Sequence, residues 1–362
     1  MSIVYQDRQF AKLNLFIYRD HLSFKMINGI AMKRQQIVSF IILVFLFSSC
    51  EKNDNPANFP DISIDSLKIL QTNIPGGLYT DLTFINESTG FAISNFGAII
   101  KTTDGGYGWE QLLSNVDFFL NKIQFTNSQT GYIIGGDNSG GYLLKTINAG
   151  LTWQLINLNT PDKGMPTGMF FLNSNTGFIS GKKLFRKTID GGQTWSEVMD
   201  PVSENINDVN FKNAYEGYAT SDNGKYFRST DGGKSWQSIQ SKTSDHLKKI
   251  YFAESKSYSK CRTSVFIDLE TGNEAFNVPD SAFNFLFLNE SRCIGIGQHY
   301  EAGFLPYGDV FLTNDAWTTF SQKKYNPQSE AMNVTAMGRT KEGRVIIIGC
   351  GAINSSVIEL RY

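Results

Sequence analysis

Histidine and cysteine, the side chains that most often build metal centres and nucleophilic sites, are scarce in this chain. There are 3 histidines and 4 cysteines in 362 residues, and only His246 and His299 lie downstream of Cys50. Isolated histidines argue against a histidine-built metal site and against a Ser-His-Asp arrangement. Cys261, Cys293 and Cys350 follow no metal-ligand spacing and read as small buried apolar side chains. No phosphate-cradling glycine loop or dinucleotide fingerprint stands between a strand and a helix, so neither metal nor cofactor is expected. Carboxylates are abundant, and one set of them is evenly spaced. Asp104, Asp190, Asp231 and Asp315, with Asn148 in the equivalent place, stand third in a recurring octet: TTDGGYGW from Thr102, TINAGLTW from Thr146, TIDGGQTW from Thr188, STDGGKSW from Ser229, and a decayed TNDAWTTF from Thr313. A fainter copy, LETGNEAF, begins at Leu269. The chemistry of an Asp so placed is local, because its oxygens accept backbone N–H bonds within a tight turn. Glycine in the fifth place takes a backbone conformation that other residues resist. Trp109, Trp153, Trp195 and Trp236 in the eighth place wedge a large ring between sheets, worth on the order of a few kcal/mol each. These residues are structural.

The octets recur every 40 to 44 residues, and a second landmark keeps the same period. Phe84, Phe125, Phe171 and Phe211 are each followed six residues later by glycine, at Gly90, Gly131, Gly177 and Gly217. Phe252 and Phe287 keep the aromatic but carry Tyr258 and Cys293 in place of the glycine, and Met337 with Gly343 reads as a seventh copy. An apolar residue two places before most of these aromatics marks a strand with one buried face. Three more short apolar stretches follow in each period, the last beginning at the octet's tryptophan. Four short strands in about 42 residues describe a propeller blade; no stretch has the 3.6-residue period of a helical solenoid. Seven inner strands are counted, and the last unit ends after three strands. Leu67-Lys68-Ile69-Leu70-Gln71 supplies the missing one. The expectation is an all-β, seven-bladed propeller closed by pairing an N-terminal strand with the C-terminal blade, or six blades if the weak unit around 250–276 is irregular.

Composition agrees. Glycine numbers 33 and aromatics reach 13%, as short strands and tight turns require. A formal net charge of −1 offers nothing to neutralise phosphates, so nucleic acid is not expected as a partner. Ahead of the repeats, Lys33 and Arg34 precede an apolar run over 37–47, then Ser48, Ser49 and Cys50. A basic segment, a short apolar run and small residues describe an export signal, and the run is shorter than the roughly 20 residues that span a bilayer. The segment LFSSC resembles the bacterial lipobox, whose cysteine is lipidated and becomes the first mature residue; Phe47 stands where an aliphatic residue is usual. The expected organisation is an over-extended start over 1–31, a lipoprotein signal over 32–49, a lipidated tether over 50–64 and a propeller over 65–362. The protein would be membrane-anchored by lipid alone, facing the periplasm or the cell surface.

The octet resembles the Asp-box, or BNR repeat, of sialidases, sortilin-type receptors, xyloglucan-degrading enzymes and the photosystem II stability and assembly factors. The TDGG-x-x-W form, with T-G-F or T-G-Y after an aromatic, is similar to that of the last group and its non-photosynthetic bacterial relatives. The resemblance implies that the octets lie at the disc's periphery, away from the usual ligand face. A sialidase-like site would need clustered arginines, a tyrosine nucleophile and an acid. Here the arginines are dispersed, and Arg228 takes the place held in other repeats by Lys101, Lys145 and Lys187. By analogy, partners bind at the loops that join outer to next inner strands and second to third strands. Candidate contacts there are Asp117, Phe118, Lys182, Lys183, and His299, Tyr300 and Tyr307 of the long 298–307 loop. The function expected is a non-catalytic lipoprotein of the bacterial envelope, docking a protein partner or aiding complex assembly. The alternative is glycan binding or glycoside hydrolysis.

Overall fold

In the computed structural model, the structure describes residues 14–18, 21–25, 63, 67–74, 77–160, 164–199, 204–299, 307–325, 333–350 and 355–360. The chain divides into a unit over 1–59 and a unit over 60–362. In the first, Asn14–Tyr18 pairs antiparallel with His21–Lys25. The second is built from seven four-stranded antiparallel sheets. Their first strands are Tyr79–Phe84, Phe119–Phe125, Pro166–Phe171, Ile206–Phe211, Leu247–Ala253, Ala282–Phe287 and Asn333–Arg339, and each packs against the next until the seventh meets the first. The seventh sheet takes three strands from the C-terminus and its outer strand, Leu67–Ile74, from the N-terminus, with Leu67 opposite Leu360 and Ile69 opposite Ile358. Closure completes the seventh sheet, so that every blade has four strands. The segment with the weakest repeat is a complete blade of Leu247–Ala253, Lys256–Cys261, Val265–Asp268 and Glu274–Asn277. The ring therefore has seven blades, not six.

Each octet is a turn between third and fourth strands, closed by its own side chains. In the third blade, Thr188 Oγ1 donates to Asp190 Oδ1 at 2.8 Å and accepts from the Gly192 amide at 2.9 Å. The Thr194 amide donates to Asp190 Oδ1 at 2.9 Å, and Trp195 Nε1 to the Gly192 carbonyl at 3.1 Å. Hydrogen bonds from Thr194 hold the Asp190 carboxyl down at about 2. The hydroxyl and amide bonds to the third residue recur around Asp104, Asn148, Asp231 and Asp315, whereas among the described residues the indole bond recurs only at Trp109. The copy at 269–276 is different. Asp268, one residue before it, accepts from the Glu270 and Thr271 amides in a shorter turn.

The aromatic-glycine landmark has a steric cause. The Phe171 ring lies over Gly177, where a Cβ would sit 2.5 Å from Cδ1, and Phe84, Phe125 and Phe211 cover their glycines in the same way. The octet tryptophan then meets that ring edge-on, at 6.3 Å for Phe84–Trp109 and 5.7 Å for Phe211–Trp236. Trp109 is buried, whereas Trp153, Trp195 and Trp236 are half-buried. In the seventh blade the landmark is shifted by two residues. Arg339 pairs with Val345 at the hairpin end, where Phe84 pairs with Gly90, and Gly343 lies within the turn. In the fifth blade, Ser257 rather than Tyr258 stands opposite Phe252, because that hairpin is shorter.

The core is seven apolar bands, each between adjacent blades. One holds Phe91, Ile99, Leu120, Ile133 and Leu144 of the first and second blades; another closes the ring with Ile346, Ile348 and Val357 against Leu82, Ala92 and Trp109. Cations span the same joints. Lys145 Nζ donates to the Gly191 carbonyl at 2.9 Å while lying over the Tyr132 ring, and Lys101 and Lys187 repeat the arrangement.

Candidate functional site: a polar groove over three blades

Every inner strand carries a β-bulge at the same position, four residues before its landmark position. The bulged residues are Thr80, Asn121, Thr167, Asn207, Lys248, Phe283 and Thr335. A bulge bends the strand and re-aims its side chain, and at Thr80, Asn121, Thr167 and Asn207 the side chain reaches the next blade. Thr80 Oγ1 donates to the Leu120 carbonyl at 2.6 Å, Asn121 Nδ2 to the Thr167 carbonyl at 3.0 Å and Asn207 Nδ2 to the Leu247 carbonyl at 2.8 Å.

The following residues, Asp81, Lys122, Gly168, Asp208, Lys249, Asn284 and Ala336, line up around the ring. Asp81 and Asp208 each accept a backbone amide of the next blade, from Ile123 at 2.9 Å and Ile250 at 3.0 Å. Lys122 pairs with Asp208 at 3.1 Å, reaching past Gly168, which presents no side chain between them. Burial pushes the Asp81 carboxyl up and the Lys249 ammonium down, each opposed by neighbouring opposite charges.

Beside this ring, over the third to fifth blades, lies a groove of about 380 Å³. Its floor comes from the starts of inner strands, at Thr167, Asn205, Asn207, His246 and Lys248. Its wall comes from the ends of the second strands Gly177–Gly181, Gly217–Ser221 and Lys256–Cys261, at Gly181, Lys182, Asp222 and Arg262. Asp222 is the hub. It accepts from Asn205 Nδ2 at 2.9 Å and Asn207 Nδ2 at 3.0 Å, with His246 Nδ1 at 2.6 Å and Lys248 Nζ at 3.7 Å. Burial opposes ionisation of Asp222, yet hydrogen bonds from Asn207, Asn205 and His246 outweigh it and hold the carboxyl at about 2. Asp245 braces the rim by accepting from the Thr263 amide at 2.9 Å, the Thr263 hydroxyl at 2.7 Å and the His246 amide at 2.7 Å. Lys182, Lys248 and Arg262 thus line the same groove as Asp222, which is already engaged.

Among the sequence-predicted contacts, Lys182 lines the groove and Lys183 shares its turn, with φ 49°. Asp117 is exposed in the connection between the first two blades. Phe118 beside it is buried and stacks on Tyr142 at 4.9 Å, so its ring serves the core. His299 and Tyr307 pair across strands Cys293–His299 and Tyr307–Thr313, so the connection is 300–306, shorter than expected. Tyr300 and Cys50 lie outside the described residues. Cys261 and Cys293 are free and buried, and burial pushes the Cys261 thiol up to about 12. Sequence reasoning missed Asn205, Asn207, Asp222, His246, Lys248 and Arg262. The signal available was the polar residue four places before the landmark aromatic, as Asn207 before Phe211 and Lys248 before Phe252. Among the described residues, no group of three or more His, Cys, Asp or Glu is placed to hold a metal ion, and no helix is long and apolar enough to cross a membrane.

A closed ring of seven four-stranded antiparallel blades is a β-propeller. Its repeats resemble those of the photosystem II assembly factors: the family described as photosynthesis system II assembly factor YCF48 matches residues 62–196. A curated relative, the photosystem II assembly lipoprotein Ycf48 of Synechococcus sp. (strain CC9902), is 28% identical over 134 residues. That match takes in 36% of this chain and 39% of the relative, so it spans about two fifths of the relative's length. A solved structure of YCF48 bound to D1 peptide shares the fold with TM-score 0.63 and 17% identity, covering 84% of this chain and 99% of that one. YCF48 from Cyanidioschyzon merolae gives 0.61 and 16%, over 82% and 98%. The GH74 enzyme of Niastella koreensis gives 0.59 and 15%, over 79% of this chain and 53% of that one. The fold is thus shared by assembly factors and by glycoside hydrolases.

Proposed function

We propose that this protein is a non-catalytic docking propeller of the bacterial envelope, holding a protein partner and aiding assembly of a complex. The observation that carries this reading is the make-up of the groove. Glycoside hydrolysis needs two carboxyl groups facing each other across a cleft. Among the described residues the groove lining has one, Asp222, and its oxygens are engaged by two amides and an imidazole. Small-molecule sites are mostly apolar and enclosing, whereas this lining is glycine, threonine, amide and charge. A polar, cationic surface on the loop face suits a macromolecular partner. The naming of similar proteins as assembly factors, one of them solved with a peptide of D1, supports the same direction. Nothing in the chain points to a photosystem as the target.

The same reading takes Cys50 as the lipid-bearing residue, with 32–49 as its signal and 50–64 as a tether to the propeller. It places the protein on the membrane facing the periplasm or the cell surface, and a relative named as a lipoprotein supports it. Crosslinking in intact cells, followed by identification of the captured protein, tests the docking function; measurable turnover of glycosidase-type substrates by purified protein would reverse it in favour of the glycan reading. Cys50→Ala is expected to yield a soluble exported form, and membrane partitioning of that variant would overturn the anchor.

A further inference from the structure

We infer that the groove is the anchor point of the docking surface and takes carboxylate side chains from an acidic polypeptide segment of the partner; this rests on the docking reading above. The first argument is charge. Lys182 and Arg262 are exposed groove residues of the third and fifth blades, and neither side chain has an ion pair or hydrogen bond among the described residues. Lys248 between them shares Asp222 with His246 and Asn207. With Lys182, Lys248 and Arg262 set against the engaged Asp222 and, at the rim, Asp245, the described groove keeps a small excess of positive charge although the whole chain has a formal net charge of −1. That local excess attracts anions and sets their register more than it sets raw affinity.

The second argument is the internal precedent of Asp222. In this groove a carboxylate is held by two side-chain amides, an imidazole and an ammonium, and it remains ionised far below neutral pH. The donors that face outward beyond it, above all the Arg262 guanidinium, have the planar fork that matches a carboxylate in two-point contact. Asp222 in turn disfavours a dense polyanion, since any second negative group must lie beside it. Spaced carboxylates, as an acidic peptide carries, fit that pattern.

The third argument separates peptide from glycan. Among the described residues no phenylalanine, tyrosine or tryptophan lines the groove, so they offer no flat apolar plate for the C–H face of a sugar ring. An extended peptide needs only polar partners for its backbone, and the side-chain oxygens of Asn205, Asn207 and Thr167 are acceptors for its N–H groups, the Asn207 amide and Thr167 hydroxyl donors being already engaged.

The test uses a fluorescein-labelled hexaglutamate peptide and anisotropy, with the purified propeller and its variants. Single exposed charges contribute little on their own, so the informative variant is the pair Lys182→Gln and Arg262→Gln. Both side chains are unpartnered among the described residues, and the melting temperature of the double variant should match the wild type. The expected result is binding of hexaglutamate, none of hexaglutamine, weakening of about tenfold or more in the double variant, and no change for Lys234→Gln, an exposed cation in an octet turn. Equal binding by the double variant overturns the inference, and so does tighter binding of oligogalacturonate than of hexaglutamate. Crosslinking in cells separates the two levels. Capture of the same partner by wild type and double variant overturns the groove assignment and leaves the docking reading standing; if the wild type captures no partner, the docking reading falls and the inference falls with it.

Discussion

Replacing Asp222 with asparagine removes one charge from the groove while keeping its shape, and its cost can be worked from the geometry. The carboxyl is held at about 2 against an ordinary 3.8, with the side chain 23% exposed. A depression of that size corresponds to stabilisation of about 2 kcal/mol near neutral pH. The sign follows from the direction of the shift. A carboxyl whose folded value is depressed stabilises the protein above its unfolded value, near 4, and the contribution is lost as pH falls through about 2. About half of it should remain at roughly pH 3. Urea unfolding of wild type and Asp222→Asn at a series of pH values gives the difference directly, because every other titrating group is common to both. At pH 7 the variant should be less stable by about 2 kcal/mol, with the gap narrowing below pH 4 and nearly closed by about pH 2. A gap that stays constant across this range, or no gap at pH 7, would refute the claim that charge-assisted hydrogen bonds to Asp222 organise the groove.

Three further expectations follow from the fold. Deleting 66–72 removes most of the strand that closes the seventh blade and should lower the melting temperature by roughly 10 °C or more; an unchanged melting point would contradict ring closure. Gly177→Val places a branched side chain where the Phe171 ring already lies, with Cβ only 2.5 Å from the ring's Cδ1, and should cost about 1–3 kcal/mol in urea unfolding. Trp317→Gly relieves a left-handed backbone at φ 68° but removes a buried ring packed edge-on against Phe285 at 5.6 Å. Loss of a buried tryptophan outweighs the strain by about 2 kcal/mol, so the variant should be destabilised; a stabilised variant would show the decayed octet to be merely strained.

What was legible in the sequence is what is made locally. The hydrogen bonds by which the Thr and Asp side chains close an octet span no more than four residues, as from Thr188 to Gly192 and from Asp190 to Thr194. Four residue types at fixed offsets therefore announce the turn, and their period announces the blade. The landmark glycines are equally local, since each lies beneath the ring six residues before it. The decayed copies were harder to read because tertiary packing re-used their positions. In the sixth blade Trp317 occupies the fifth place, usual for glycine, and packs against Phe285, while Phe320 in the eighth place packs on Phe311. In the seventh, Arg339 and Val345 replace an aromatic and a glycine, so no residue type marked the register.

The groove belongs to the tertiary structure. Lys182, Asp222 and Arg262 stand in three different blades, and nothing in their spacing relates them to Asn207 or His246. Bulges turn the inner-strand side chains toward neighbouring blades, and the closed ring brings those blades side by side. A repeat in sequence determines what each blade is; only the packing of one blade on the next decides which side chains meet between them, because those contacts join residues some forty positions apart.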